Sequence, residues 1–167
     1  VEPNAIIFTN GDNDTFPLWY MQEVEGVRQD VRVVCLSLLN TKWYIRQLRD
    51  QWSRDSAPIP MSFTDSQLEQ LRVAPWNPQE IQLPVNMNAI ANHGEMYIPN
   101  ADIGRVESPM VWTLNGRRYN EELNMLYVAD QAALDIVVQN ARNNWERPVY
   151  FANTTSRDGQ LDLSGYF

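Results

Sequence analysis

The residues best suited to do chemistry follow the first apolar run of the chain, residues 5–8. Two carboxylates and two carboxamides lie within the next six positions, and a tryptophan follows about one helical turn later. Such hard oxygen ligands suit Mg, Mn or Ca, and the same groups hydrogen-bond the hydroxyls of sugars. The candidate ligand-binding residues are therefore Asn10, Gly11, Asp12, Asn13, Asp14, Thr15 and Trp19, with Asp12 and Asp14 as the candidate metal ligands.

Two interpretations of the acidic pair stay open. Asp12 and Asp14 flank Asn13, and an Asp-x-Asp triplet holds a divalent ion against the diphosphate in many sugar-nucleotide transferases. The simpler interpretation is local, because Asp12 suits an Asx-turn and Asp14 suits a helix cap. We favour the local role, with the metal site as the alternative.

The surrounding pattern predicts an α/β fold. Residues 5–8 indicate a strand, and a helix is expected from about 17 to 25, capped by Asp14 or Thr15 and ended by Gly26. Residues 31–39 indicate a strand buried on both faces. A second helix follows, with Ile45 and Trp52 on its apolar side. This β-α-β-α order predicts a Rossmann-like, three-layer arrangement with a mostly parallel sheet, in which ligands bind at the carboxyl ends of the strands.

The rest of the chain is expected to complete one domain over residues 1–167, with 57–124 as an irregular, partly β insertion over the sheet. Thr64 and Gln67 fit a capping box. Short strands are expected at 81–83, 96–98 and 110–114, and Asn115-Gly116 predicts a hairpin turn into 117–119. Asp130 is expected to cap an apolar-striped helix that leads into a last strand at 148–152.

Composition excludes one large class of partner. The net charge is −8 and the isoelectric point is about 4.6, whereas binding to nucleic acid requires concentrated lysine and arginine. No run reaches the roughly 20 apolar residues of a membrane span, and the chain opens at Val1 with no signal segment. We expect a soluble domain cut from a longer protein. Six tryptophans and seven tyrosines suit either a carbohydrate surface or an aromatic core.

Other catalytic patterns are weak. His93 is the only histidine and lies in a loop-like sequence with no nucleophile near it in the chain. Cys35 lies within an apolar strand and is expected to be inert. There is no phosphate-binding glycine loop and no Gly-x-Ser-x-Gly motif.

A family resemblance rests on five blocks of sequence. The first and longest is 4–20, which contains the candidate site; the others are 22–44 in three pieces (22–26, 30–34 and 37–44) and 144–152. These blocks closely resemble a bacterial family of multi-pass membrane proteins that is catalogued as a domain of unknown function. The membrane part of that family is similar to protein O-mannosyltransferases, which are glycosyltransferases of the GT-C type.

The resemblance implies a tail that follows the transmembrane helices, at the periplasmic face of the inner membrane. In GT-C enzymes the catalytic acid lies in the membrane part, so the expected role is an accessory domain that binds a glycan, a glycoprotein acceptor or a partner. Its own transmembrane region would then be a partner. Two alternatives stay open. One is an autonomous, metal-assisted hydrolase or transferase that uses Asp12 and Asp14. The other is a pure assembly module, which should expose a large apolar patch. Whether the isolated domain is an enzyme is left undecided.

Overall fold

Eight strands and four helices make up the part of the chain that the computed structural model describes, residues 1–85 and 108–163. Two single 3-10 turns accompany them, at Leu38–Asn40 and Arg157–Gln160. The helices are α1 (Asp12–Glu23), α2 (Lys42–Asp50), α3 (Asp65–Gln70) and α4 (Val128–Arg142). The strands are β1 (Ile6–Thr9), β2 (Arg32–Cys35), β3 (Ala74–Trp76), β4 (Gln79–Leu83), β5 (Met110–Leu114), β6 (Arg117–Arg118), β7 (Asn124–Leu126) and β8 (Val149–Phe151).

A parallel sheet with the order β2-β1-β8 positions the candidate site. Ile6 pairs with Arg32 on one side and with Val149 on the other. All four residues of β2 are buried, as are three of the four in β1, because apolar strands covered on both faces are the rule in parallel sheets. The carboxyl ends of all three strands therefore lie at one edge.

The remaining strands form antiparallel sheets. β4 pairs with β5, with Ile81 opposite Trp112, and β7 lies between β3 and β6. Their buried side chains, such as Leu83, Trp112 and Leu126, share one core cluster with Ile6 and the rest of the parallel sheet. The fold is thus mixed α/β, as predicted. The Rossmann-like three-layer arrangement and the insertion at 57–124 stay predictions.

Helix α1 begins five residues before its predicted start. The prediction placed Pro17 in the first turn, but the helix begins at Asp12 and Pro17 lies inside it. The carboxylate of Asp14 accepts hydrogen bonds from the backbone N–H groups of Asn10 and Gly11. Satisfying these two donors stabilises an earlier helix start than the proline rule predicts.

Two further sequence predictions were wrong. Helix α2 ends at Asp50, so Trp52 lies beyond its apolar stripe and is 67% exposed. The Asn115-Gly116 turn does not close a hairpin, because the strands on either side of it, β5 and β6, pair with β4 and β7 in different sheets. Turn chemistry predicts the turn, but it does not choose the partner strand.

Local capping signals were more reliable. Thr64 and Gln67 form the predicted capping box of α3. Asp130 accepts a hydrogen bond from the Tyr127 N–H at the start of α4, although that helix begins two residues earlier, at Val128. The strand expected at 96–98 lies outside the described residues.

A phenol completes the free edge of β2. The backbone groups of Val33 and Cys35 point away from β1, because Arg32 and Leu36 donate to β1 instead. The buried Tyr44 hydroxyl accepts a hydrogen bond from the Cys35 N–H (3.1 Å) and donates one to the Val33 carbonyl (3.4 Å). Burial raises the pKa of Tyr44 to about 12. One side chain therefore replaces part of a fourth strand.

We expect Tyr44→Phe to lower the free energy of unfolding by about 1–3 kcal/mol at pH 7, because it leaves two buried backbone groups unpaired. The exposed Tyr119→Phe is the matched control and should change stability by less than about 0.5 kcal/mol. Because the folded-state pKa of Tyr44 lies above its unfolded value, its contribution is complete below about pH 10 and is lost toward pH 12. Urea unfolding of both variants at pH 7 and above pH 10 checks this. A constant stability difference between the native protein and Tyr44→Phe across that range would contradict it.

Two arginines are buried at the opposite edge of the sheet, where the strands begin. Arg32 donates to the carbonyls of Gln47, Gln51 and Ser56. Arg147 donates to the carbonyls of Asn4 and Ala5, about 140 residues earlier in the chain. It also donates to the Ala57 carbonyl and the Ser56 hydroxyl, about 90 residues earlier. Burial, and then the charge of Arg32, lower the pKa of Arg147 to about 10.

We expect Arg147→Met to cost about 3 kcal/mol or more of stability, because three carbonyls and a hydroxyl lose a buried donor. The stability of Arg147→Lys should be intermediate, since one ammonium group cannot reach both the segment before β1 and the loop after α2. Arg157→Met, at an exposed arginine, is the control and should be nearly neutral. Thermal and urea unfolding measure all three. Equal stabilities of Arg147→Met and Arg157→Met would show that the buried guanidinium does not hold these segments together.

Candidate functional site

The loops that follow the three parallel strands meet at one edge of the sheet. The backbone N–H of Ala152 donates to the carbonyl of Phe8, and the Thr155 hydroxyl donates to the same oxygen. The Thr154 hydroxyl donates to the carboxylate of Asp14 across 140 residues of sequence. Ser37, which follows β2, lies beside Gly11: a Cβ added to Gly11 would be 3.9 Å from the Ser37 Oγ. The predicted edge of the sheet is thus a single surface.

Asp14 holds this edge together. Its two carboxylate oxygens accept hydrogen bonds from Asn10 N–H (2.8 Å), Gly11 N–H (2.9 Å) and Thr154 Oγ1. Partial burial pushes the pKa of Asp14 upward, but the hydrogen bonds from Thr154 and from the two backbone N–H groups outweigh it and hold the pKa below its usual value. Asp14 is therefore charged at neutral pH and bonds the backbone ahead of α1 from inside the helix. The N-cap is Gly11, so the prediction that Asp14 or Thr15 is the N-cap was wrong. The Asx-turn predicted for Asp12 is not seen among the described hydrogen bonds.

Thr15 is also engaged. Its hydroxyl lies 2.6 Å from that of Thr9, and both side chains are fully buried. The Thr9 hydroxyl in turn donates to the Val34 carbonyl. Thr15 therefore fastens α1 to the end of the sheet and does not face a ligand.

Three predicted residues remain available. Asn10, Asp12 and Asn13 are exposed, and within residues 1–85 and 108–163 their side chains make no hydrogen bond or ion pair. Asn153, which follows β8, is exposed in the same way. The edge thus presents amides and one uncommitted carboxylate, the groups that bind sugar hydroxyls.

Aromatic rings line the two helices that leave this edge. The rings of Phe16 and Trp19 stack with centroids 5.7 Å apart, Trp19 lies 6.5 Å from Tyr44, and Trp43 lies 5.6 Å from Tyr44. We call these four residues the aromatic track. Phe16 and Trp43 are more than half exposed. Trp19 is a member of the track, and its contact with a ligand stays a prediction.

Sequence reasoning missed the contributions of Ser37, Asn153 and Thr154. Each follows a predicted strand, and that position was the available signal, because parallel strands end at the same edge. Cys35 is buried, as predicted, with its sulfur 3.1 Å from the Ser37 hydroxyl. His93 lies outside the described residues.

No cluster of three or more His, Cys, Asp or Glu side chains that could hold a metal ion is found in the described parts of the chain. A divalent ion at Asp12 and Asp14 would have to share the Asp14 carboxylate with the three hydrogen bonds that it already accepts. Mg, Mn or Ca binding stays a prediction.

Comparison with known proteins gives a family. The family model described as TMEM260-associated domain 2 matches residues 1–75 and, in a second match, residues 67–167. The chain belongs to this family. The expectation of a domain from a membrane-associated family is confirmed at that level, and no resemblance to a glycosyltransferase is shown.

The other two comparisons add no relative: no curated protein and no solved structure matches the chain. No helix among residues 1–85 and 108–163 is both long and apolar enough to span a membrane.

We expect Asp14→Asn to lower stability by about 1 kcal/mol at pH 7, because the amide loses both the charge and part of the cap at the start of α1. The lowered folded-state pKa means that the contribution is present above about pH 4 and is lost as the pH falls through the folded-state pKa. Asp12→Asn, in the same turn but without hydrogen bonds, should cost less. Urea unfolding at neutral and acidic pH distinguishes them. An Asp14→Asn deficit that does not shrink as the pH is lowered below about 4 would contradict the titration.

Proposed function

We propose that this chain is an accessory, extracytoplasmic domain of a membrane glycosyltransferase-like protein, and that it binds carbohydrate at the carboxyl edge of its parallel sheet. The observation that carries the proposal is the position of unpaired amide and carboxylate side chains beside the aromatic track. Sugar sites combine these two features, because ring faces cover the C–H groups of a sugar while polar groups bind its hydroxyls.

The different roles of Asp12 and Asp14 favour a binding function over a catalytic one. Hydrolysis of a glycosidic bond ordinarily uses a pair of carboxyl groups, one on each side of the bond. At this edge Asp14 already accepts three hydrogen bonds, whereas the Asp12 carboxylate makes none within residues 1–85 and 108–163. A single carboxylate among amides suits recognition of hydroxyl groups.

Family membership supports the remaining part of the proposal. The match to TMEM260-associated domain 2 is compatible with a domain that serves a membrane protein. In this proposal the parent protein lies at the periplasmic face of the inner membrane, its transmembrane region is a partner of this domain, and a glycan or glycoprotein is the bound molecule.

We expect mannotriose to bind the isolated chain weakly, with a Kd of about 1 mM, and without turnover. In a ¹H–¹⁵N titration, the amides of residues 10–13 and the indole N–H signals of Trp19 and Trp43 should shift together. Asn10→Ala combined with Asn13→Ala should weaken binding about tenfold, because two uncommitted hydrogen-bonding groups are removed.

Asn77→Ala is the control, since Asn77 is exposed and lies far along the chain, after β3. It should leave the titration unchanged. Absence of any shift at about 10 mM sugar, or shifts confined to other residues, would refute the carbohydrate site. Release of sugar products by the isolated chain would refute the accessory role.

A further inference from the structure

Helix α1 aligns an uncommitted carboxylate with two aromatic rings. Asp12, Phe16 and Trp19 occupy positions i, i+4 and i+7 of the helix, and residues at this spacing lie on one face of an α-helix. The polarity of α1 is inverted, because its buried residues are the polar Thr15 and Gln22. This orientation leaves Asp12 and Phe16 exposed and Trp19 half-buried. A molecule that covers the two rings therefore meets the Asp12 carboxylate at the end of the same face.

The Asp12 carboxylate has no basic side chain close to it in the sequence, and the structure brings none to it. Residues 9–27 contain no lysine or arginine, and Asp12 makes no ion pair within residues 1–85 and 108–163. Lys42, at the start of α2, is committed elsewhere, because its Nζ donates to the carbonyl (2.6 Å) and to the carboxylate (3.1 Å) of Glu69. In the loop after β8, Arg157 is followed directly by Asp158, so this pair adds no net charge. The edge therefore presents an unpaired negative charge to a ligand.

Asp14 adds to the negative potential of this edge. Partial burial raises the pKa of Asp14, but the hydrogen bonds from Thr154, Asn10 and Gly11 outweigh it and keep the pKa below its usual value. Both carboxylates in the first turn of α1 are thus ionised at neutral pH. A ligand that carries phosphate, sulfate or carboxylate would be repelled by them, whereas a ligand that carries an ammonium group would be attracted.

The aromatic track favours the same class of ligand. Ammonium groups are attracted to the faces of tryptophan and tyrosine rings, and the C–H groups of a sugar pack against the same faces. In the described parts of the chain, Arg117 lies over the Tyr127 ring, 5.5 Å from its centroid, but no lysine or arginine lies over a ring of the aromatic track. These rings are therefore not already occupied by a cation of the described chain.

From the alignment of Asp12 with the aromatic track and from the charge of this edge, we propose that the carbohydrate bound here is an amino sugar with a free ammonium group, and that Asp12 selects it. The inference rests on the proposed sugar site and names its ligand class. The ammonium group binds the Asp12 carboxylate, while the sugar ring lies against Phe16 and Trp19. N-acetylation of the sugar removes the positive charge and with it this interaction.

The test compares two trisaccharides that share one scaffold: the glucosamine trimer, whose amines are charged, and its fully N-acetylated form, which is neutral. At about pH 6 the amines are protonated and the aspartates are ionised. In ¹H–¹⁵N titrations at low salt, the glucosamine trimer should bind about tenfold more tightly than the acetylated trimer. The Asp12 amide and the Trp19 indole N–H should shift together. In about 1 M NaCl the preference should fall to about twofold or less, because salt screens exposed charges.

A pair of charge-matched variants isolates the role of Asp12. Asp12→Asn should reduce the ratio of the two Kd values from about ten to about one, because the amide keeps the size of the side chain but not its charge. Asp55→Asn is the control. Asp55 is exposed and precedes Ser56, which contacts Arg32 and Arg147 at the amino edge of the sheet. This control loses the same charge and should keep the ratio near ten. Circular dichroism should confirm that both variants are folded.

Four results would overturn the inference, and they separate it from the proposed function. Equal affinity for the glucosamine trimer and the acetylated trimer would remove the amino-sugar preference but leave the carbohydrate site in place. Binding of neither trimer and no binding of mannotriose would remove the carbohydrate site as well. A preference that Asp12→Asn and Asp55→Asn reduce equally would be an effect of net charge and not of Asp12. Trilysine that shifts the same signals with higher affinity than the glucosamine trimer would identify a basic peptide as the ligand.

Discussion

The structure depends on the burial of two guanidinium groups below a narrow sheet. Arg32 and Arg147 have no carboxylate in direct contact among their described hydrogen bonds, and their donors go to backbone carbonyls and one hydroxyl. Burying such charges is costly unless every donor is used. Because Arg147 joins the segment before β1 to the loop after α2, the donors hold together parts of the chain that no strand pairing connects. These bonds lie at the amino edge of the sheet, opposite the candidate site at the carboxyl edge.

At that carboxyl edge one carboxylate performs the corresponding task. Asp14 satisfies the start of α1 and reaches Thr154 in the loop after β8. Asp14 bonds the N–H groups of Asn10 and Gly11, which lie ahead of the helix. The side chains of Asn10, Asp12 and Asn13 stay uncommitted in the described parts of the chain. A rigid cap beside unpaired polar side chains is the arrangement that binding sites favour, because the ligand-facing groups are held in place by others.

The sequence predicts the helices and strands better than it predicts which of them contact each other. The strands at 5–8 and 148–152 and the box at Thr64 follow from local patterns that need no knowledge of the fold. The early start of α1 does not, because it rests on an acid that outweighs the proline rule. The bond between Thr154 and Asp14 spans 140 residues, and the strand partners on either side of Asn115-Gly116 are chosen by the shared core. Such long-range choices carry no local signal.

The inverted polarity of α1 shows why periodicity also fails at this helix. Apolar residues occur on nearly all sides of this helix, so the hydrophobic pattern does not predict which side is buried. Two polar residues decide the orientation instead. Thr15 and Gln22 each find fixed partners near the sheet, whereas Tyr20 or Met21 in their place would leave those partners unpaired. The free energy of these buried hydrogen bonds thus outweighs the gain from covering the apolar side within the chain. An apolar side that the domain itself cannot cover is available to another molecule, and the same helix begins at the loop that is open to a ligand.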